Sequence, residues 1–296
     1  MLLFISLIFL YYTYKNFSIN DLKDALNIVN LTNVLIYLIL FFPIIYIASI
    51  KYILLVDKFK KIKLSTSIKV NLISSFYNLF FPAKLGDLTR YYYSKIPKKY
   101  FVNCLSLFFF EKLISFLSLI LIVLFCSEVD NHQNLIFLSI LFFFLILIFL
   151  NNFNKINNIL NLIIQKLYQF KFKTHKKIKE KLNFQFFFFF ILDTIVWLII
   201  FLQIYTISSQ INVKIDFLIV CFIFGYSILA GLVPISFGGF GVRDIIIYNS
   251  LESYLNNNEI LILLLFFNLR YFIPAIFGFI FNTLKLYDKK KFFKKN

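Results

Sequence analysis

Histidine, cysteine and acid are scarce in this sequence, and each scarcity removes a class of chemistry. The two histidines, His132 and His175, both stand in polar segments. Two such residues supply neither a metal site nor a histidine-based catalytic dyad. The three cysteines, Cys104, Cys126 and Cys221, are scattered through apolar runs with no CxxC. They read as small core residues, and zinc, haem and iron–sulfur motifs are absent. There is no phosphate-loop motif, which argues against direct use of ATP, and no metal or other cofactor is expected. No cleavable secretory leader is expected either. Met1–Leu10 is apolar, but Lys15 follows it instead of preceding it, and no small-residue cleavage site ends it.

What is present is hydrophobic. Apolar residues make up 60% of the 296, with 43 Phe and 18 Tyr. Soluble domains are about 45–50% apolar, so this is a polytopic, all-α membrane protein. Asp and Glu number 14 against 31 Lys and Arg, a net charge of +17. In a soluble chain that excess would suggest nucleic acid. Here it marks the cytoplasmic loops, and no nucleic-acid partner is expected.

The apolar runs predict six full spans, namely Met1–Tyr14, Asn33–Val56 (kinked at Pro43), Phe101–Cys126, Asn134–Leu150, Phe184–Ile207 and Glu259–Phe281. The first is short for a crossing of about 20 residues. Leu64–Phe81 is too polar for lipid, with Ser65, Ser67, Lys69, Asn71, Ser74, Ser75 and Asn78 interrupting it. Residues 151–184 form a basic segment. Within it Ile156, Ile159, Leu160, Ile163, Ile164 and Leu167 recur at helical spacing, as in a helix lying on an anionic membrane surface. A basic tail, 284–296, ends the sequence, and the whole is read as one transmembrane domain.

Of the 31 basic residues, 23 fall in Asp57–Lys63, Pro82–Tyr100, Asn151–Phe184 and the stretch after Thr283. Only 3 fall in Lys15–Thr32, Ser127–Gln133 and Ser208–Asp216. The first set, the C-terminus and the N-terminus are therefore cytoplasmic, and a cell (inner) membrane is the expected location. Parity then constrains two segments. Both flanks of Leu64–Phe81 are cytoplasmic, within a re-entrant segment of about 64–99, and 217–258 begins and ends outside. The simplest solution is two re-entrant hairpins entering from opposite sides, broken at Pro82–Gly86 and Pro234–Gly241. Each break places glycine four residues after proline, with charge close behind. An inverted repeat would produce this, and so would chance.

The second break, PISFGGFGVRD (Pro234–Asp244), holds three glycines in four residues. Each would cost roughly 1 kcal/mol inside a helix. Charges also stand in or beside apolar runs: Glu111, Lys112, Asp193, Arg243, Asp244 and Arg270. Each costs about 2.5–3.5 kcal/mol at a helix centre unless paired or hydrated. Three are acidic and three basic, so the set could close on itself as salt bridges that hold a bundle. The other reading is a polar cavity, because broken backbone and buried charge occur together. An anionic group such as a phosphate would suit it, with Lys84, Arg90, Arg243 and Arg270 as cationic partners.

Several motifs occur in order: PxKxGDxxR (Pro82, Lys84, Gly86, Asp87, Arg90), the pair Glu111–Lys112, a span bearing Trp197, PxSxGGxGVRD (Pro234, Gly238, Gly239, Gly241, Arg243, Asp244) and NLR (Asn268–Arg270). Across essentially the whole chain this resembles the flippase-like transmembrane domain of the lysylphosphatidylglycerol synthase family. The resemblance implies a lipid translocase-like domain. Its relatives move aminoacylated phosphatidylglycerol between leaflets or are linked to polyprenyl-phosphate and glycolipid traffic. The motif residues together with Asp193 and Arg270 would line a head-group cavity. Three departures stand out. Lys84 and Lys112 occupy positions where arginine is commoner, and Ser115 stands where a carboxylate would be. Only a basic tail follows Phe281, so no aminoacyl-transferase domain and no aminoacyl-lipid synthesis are expected. Two other functions stay open. One is a non-catalytic membrane partner of a separately encoded synthase or glycosyltransferase. The other is a lipid-phosphate transferase using Glu111, Asp193 or Asp244 as base.

Overall fold

The structure, a computed structural model, describes residues 2–15, 17–57, 59–97, 100–127, 182–211, 215–232 and 237–293. Every element among them is helical. The first, α1 (Leu2–Tyr14), is apolar but for Ser6, Thr13 and its tyrosine hydroxyls, and is roughly 20 Å long at 1.5 Å per residue. The sequence reads Lys15–Thr32 as a polar loop, yet a helix stands in it, α2 (Ile19–Ile28). A reciprocal cap starts it. The Ser18 backbone N–H donates to Asp21 Oδ2 (2.6 Å), and that of Asp21 donates to Ser18 Oγ (3.1 Å). The span expected over Asn33–Val56 is two helices, α3 (Leu31–Ile39) and α4 (Phe41–Val56). They part at Leu40 because Pro43 has no N–H to offer the Ile39 carbonyl and its ring crowds that oxygen.

Polarity decides where the next helix goes. On α5 (Leu64–Asn78), Ser67, Asn71 and Ser74 are buried. Ser67 Oγ donates to the Ser49 carbonyl (2.8 Å) and Asn71 Nδ2 to Ser49 Oγ (3.2 Å), so this face is spent on α4. The polar face of Ser67, Asn71 and Ser74 is thereby shielded from lipid, while Ser65 and Lys69 stay exposed. The chain then reverses. A tight helical turn, Pro82–Leu88, lies back against the end of α5 and leads into α6 (Thr89–Tyr93). A Cβ on Gly86 would stand 2.5 Å from the Asn78 backbone nitrogen, so only glycine permits this approach.

Two long apolar helices follow, α7 (Phe101–Cys126) and α8 (Leu182–Ser208). The second reversal is α9 (Phe217–Gly231), a short turn at Phe237–Gly239, and α10 (Val242–Leu251). The backbone at Gly239 (φ 82°) and Gly241 (φ 84°) is left-handed, which side chains with a Cβ resist. Gly241 also rests on α1, where a Cβ would meet that of Phe9 at 2.5 Å. The short first helix therefore supports the broken segment. The last helix, α11 (Asn257–Phe293), carries Pro274 within it and runs along α5. Their backbones touch at Gly278, where a Cβ has no room beside the Leu72 carbonyl oxygen. Gly278→Leu is expected to cost at least about 1–3 kcal/mol through overpacking, read as a lower unfolding temperature of the purified protein.

Four stretches among the described residues are long and apolar enough to cross a membrane: Leu31–Val56, Asn103–Cys126, Phe187–Ser208 and Asn257–Leu284. The all-α polytopic class read from the sequence is the one found. The span expected over 134–150, the stripe Ile156–Leu167, nearly all of the basic segment 151–184, and Pro234 lie outside the described residues. The core is continuous from α3 through α7, α8 and α9 to α11, with Phe201, Phe224 and Phe267 fully buried in it. Outward faces keep large apolar side chains, such as Phe42, Phe125 and Ile276, as a lipid-bathed surface requires.

Candidate functional site

The two reversals meet. The Pro82–Leu88 turn packs on Phe237–Gly239, and a Cβ on Gly238 would stand 3.4 Å from the Leu79 carbonyl oxygen. Around this meeting point lies a cavity of about 260 Å³. Six cations line it (Lys51, Lys84, Arg90, Lys112, Arg243, Arg270) against three acids (Asp87, Glu111, Asp193). How each charge is satisfied sorts them into two groups.

Each of these three acids has a cationic partner among the described residues, although Asp193 Oδ2 is left without a hydrogen-bond partner there. Arg90 on α6 forks onto Glu111 on α7, with its two terminal nitrogens donating to Oε1 (3.2 Å) and Oε2 (2.6 Å). Paired parallel bonds of this kind are strong and directional. The same guanidinium donates to Asn71 Oδ1 (3.2 Å) and to the Asp87 carbonyl (3.1 Å), and it stacks over the Tyr52 ring. Asp87 pairs with Lys112 and accepts from Ser74 Oγ (3.0 Å) and Asn78 Nδ2 (2.8 Å). Asp193 on α8 pairs with Lys51 on α4. Each pair joins two elements, so the acids hold the bundle together as well as lining the cavity.

The other three cations have no carboxylate within ion-pair distance among the described residues. Arg243, at the start of α10, turns back onto the break. Its Nε donates to the Gly239 carbonyl (3.1 Å) and a terminal nitrogen to that of Gly238 (2.8 Å). These carbonyls have left the helical ladder, and without such a donor they would be orphaned at membrane depth. The guanidinium lies 4.0 Å from the Tyr271 ring centroid. From α11, Arg270 donates to the Tyr271 hydroxyl and leaves its buried Nε without a partner among the described residues. Lys84 sits in the first turn at φ 56°, a conformation costly for a side chain with a Cβ, with its ammonium 5.1 Å over the Trp197 ring. Aromatic faces thus replace acids around these three.

A family model described as the lysylphosphatidylglycerol synthase TM region matches residues 2–278. The chain belongs to this family. No curated protein matches it at a significant level. As a lysylphosphatidylglycerol synthase TM region it is an integral membrane protein of lipid metabolism or transport.

Nine of the residues singled out in the sequence of this lysylphosphatidylglycerol synthase TM region line the cavity: Lys84, Asp87, Arg90, Glu111, Lys112, Asp193, Gly238, Arg243 and Arg270. Four others do not. Gly86 and Gly239 shape the two turns from behind, Gly241 faces α1, and Asp244 is fully buried away from the space. The Asp244 carboxylate accepts from the Gly241 N–H (2.9 Å) and from Asn268 Nδ2 (2.8 Å), which makes it the cap of α10. Of the two readings of Glu111, Lys112, Asp193, Arg243, Asp244 and Arg270, closure of the set on itself as salt bridges is not what the described residues form. No ion pair joins any two of them among the described residues; their partners are Arg90, Asp87, Lys51, glycine carbonyls and Tyr271. Glu111 and Lys112 point about 100° apart on their helix, and the first reversal brings Asp87 and Arg90 within reach of both. The sequence reading singles out neither Lys51 nor Tyr271 as a site residue, and Asn71 only as a polar interruption of Leu64–Phe81. Lys51 is a cation inside an apolar run, the same signal that exposed Arg270. Nothing in the sequence separates Tyr271 from 17 other tyrosines.

Proposed function

We propose that this protein holds the anionic head group of a phospholipid, or of a polyprenyl-phosphate-linked sugar, in the cavity between its two reversals and moves it between the leaflets of the cell membrane. One observation carries the reading: among the described residues Lys84, Arg243 and Arg270 face a shared space with no acid of their own, while each described acid lining it has a cationic partner. A bare cation costs about 2.5–3.5 kcal/mol at the centre of a spanning helix. Three together are tolerated where water or an anion fills the space. The charge pattern of the loops supports hairpins entering from opposite faces, so their tips meet near mid-membrane, where a head group in transit needs polar cover. Tyr271 adds a hydroxyl that accepts from Arg270 and lies within the same lining.

The test is leaflet-resolved movement of labelled phosphatidylglycerol in vesicles containing the purified protein. Wild type is expected to accelerate it over empty vesicles. Arg243→Ala, which frees two carbonyls as well as removing a charge, is expected to slow it by at least about tenfold, from loss of charged hydrogen bonds worth roughly 1.5–3 kcal/mol each. A wild-type rate equal to that of empty vesicles would refute movement.

A further inference from the structure

A second cavity of about 250 Å³ adjoins the charged one and shares Lys84, Lys112, Ser115, Trp197 and Leu232 with it. Its outer wall is different in kind. Phe109, Leu113 and Phe116 form it, at i, i+4 and i+7 on one face of α7. All three are open to the surroundings, at 42%, 37% and 39% of their full exposure. At 1.5 Å per residue they stand roughly 12–23 Å along α7, inside the depth of a hydrocarbon core about 30 Å thick. What reaches them from outside is lipid, not water.

The cations at the junction share this accessibility. The Lys112 side chain keeps 26% of its exposure, although it is paired with Asp87. In the two deeper pairs, Lys51–Asp193 and Arg90–Glu111, no side chain exceeds 9%. The space therefore runs from fully enclosed charge, past Lys112 and Lys84, to apolar side chains at the lipid boundary. A soluble anion would use only the charged end of this path.

Resting on the head-group reading above, we infer that the groove along Phe109, Leu113 and Phe116 is the seat of the ligand's hydrocarbon chain and the lateral door through which the lipid enters. The ligand is then an amphiphile whose anionic group joins its chain close to Lys84 and Lys112. Recognition is divided: charge in the cavity selects the head, and the α7 groove demands a chain.

The experiment uses the full chain in nanodiscs of zwitterionic lipid. It measures binding of long-chain phosphatidylglycerol and, separately, of water-soluble glycerol phosphate. Leu113→Trp and Phe116→Trp fill the groove from a lipid-facing position. Each is expected to weaken long-chain binding by about tenfold, the equivalent of two methylene contacts. Glycerol phosphate binding and the unfolding temperature should stay at wild-type values. Unchanged lipid binding in both variants would overturn the groove, and so would equal loss of both ligands. Lys84→Gln, by contrast, should weaken both ligands. If it weakens neither, or if wild type binds neither, the head-group reading fails and the groove falls with it.

Discussion

Lys84→Gln and Arg270→Gln are each expected to reduce retention of anionic lipid by about tenfold to a hundredfold and to leave the fold as stable as before. The size follows from the loss of one hydrogen bond or close contact to a charged group, roughly 1.5–3 kcal/mol. The unchanged stability follows from what these residues touch. Neither has a carboxylate partner among the described residues, so removing the charge strands no acid. Glutamine keeps much of the side-chain length, and Trp197 and Tyr271 still cover it. Taking one positive charge from a set of three also relieves repulsion. The measurement pairs lipid quantification on the purified protein with its thermal unfolding. A drop in unfolding temperature matching the loss of lipid would mean that these cations are structural.

Arg90→Met is expected to behave in the opposite way. Arg90 is 2% exposed and holds Glu111 through two bonds, so its loss leaves a buried carboxylate with no guanidinium. Breaking such a pair from one side costs about 3–5 kcal/mol. Glu111→Leu alone should cost a similar amount, because Arg90 then keeps only Asp87, Asn71 and the Tyr52 ring among the described residues. Combining the two is expected to recover most of the loss, since apolar replacements of a buried pair are often neutral or better. Thermal unfolding of the two single variants and the double variant forms the cycle. Additive losses would show that Arg90 and Glu111 act independently.

These two expectations separate a scaffold of paired charge from a binding set of unpaired charge. The sequence contains both but does not mark the boundary. It exposes the membrane class, the polar α5, the two breaks and the intramembrane charges, because each is a local departure from an apolar background. Partners are another matter. Glu111 and Lys112 are neighbours in sequence, yet they engage Arg90 and Asp87, 21 and 25 residues earlier. Lys51 and Asp193 are 142 residues apart. Such pairings depend on how helices are arranged, and loop charge alone does not set that. Asp244 shows the limit most plainly. Within GVRD it reads as a cavity acid, and only the backbone path reveals it as a cap, three residues after a left-handed glycine. Tyr271 is hidden for another reason: in a chain one-fifth aromatic, one more ring carries no signal.

The most direct measurement is the lipid that stays with the protein. Native mass spectrometry of wild type and of the Lys84→Gln/Arg270→Gln double variant, purified identically, reads both its identity and its amount. An anionic phospholipid or polyprenyl phosphate bound to wild type and lost from the equally stable double variant is the predicted result. Equal retention by both proteins, or retention of zwitterionic lipid alone, would contradict a cavity built for an anionic head group.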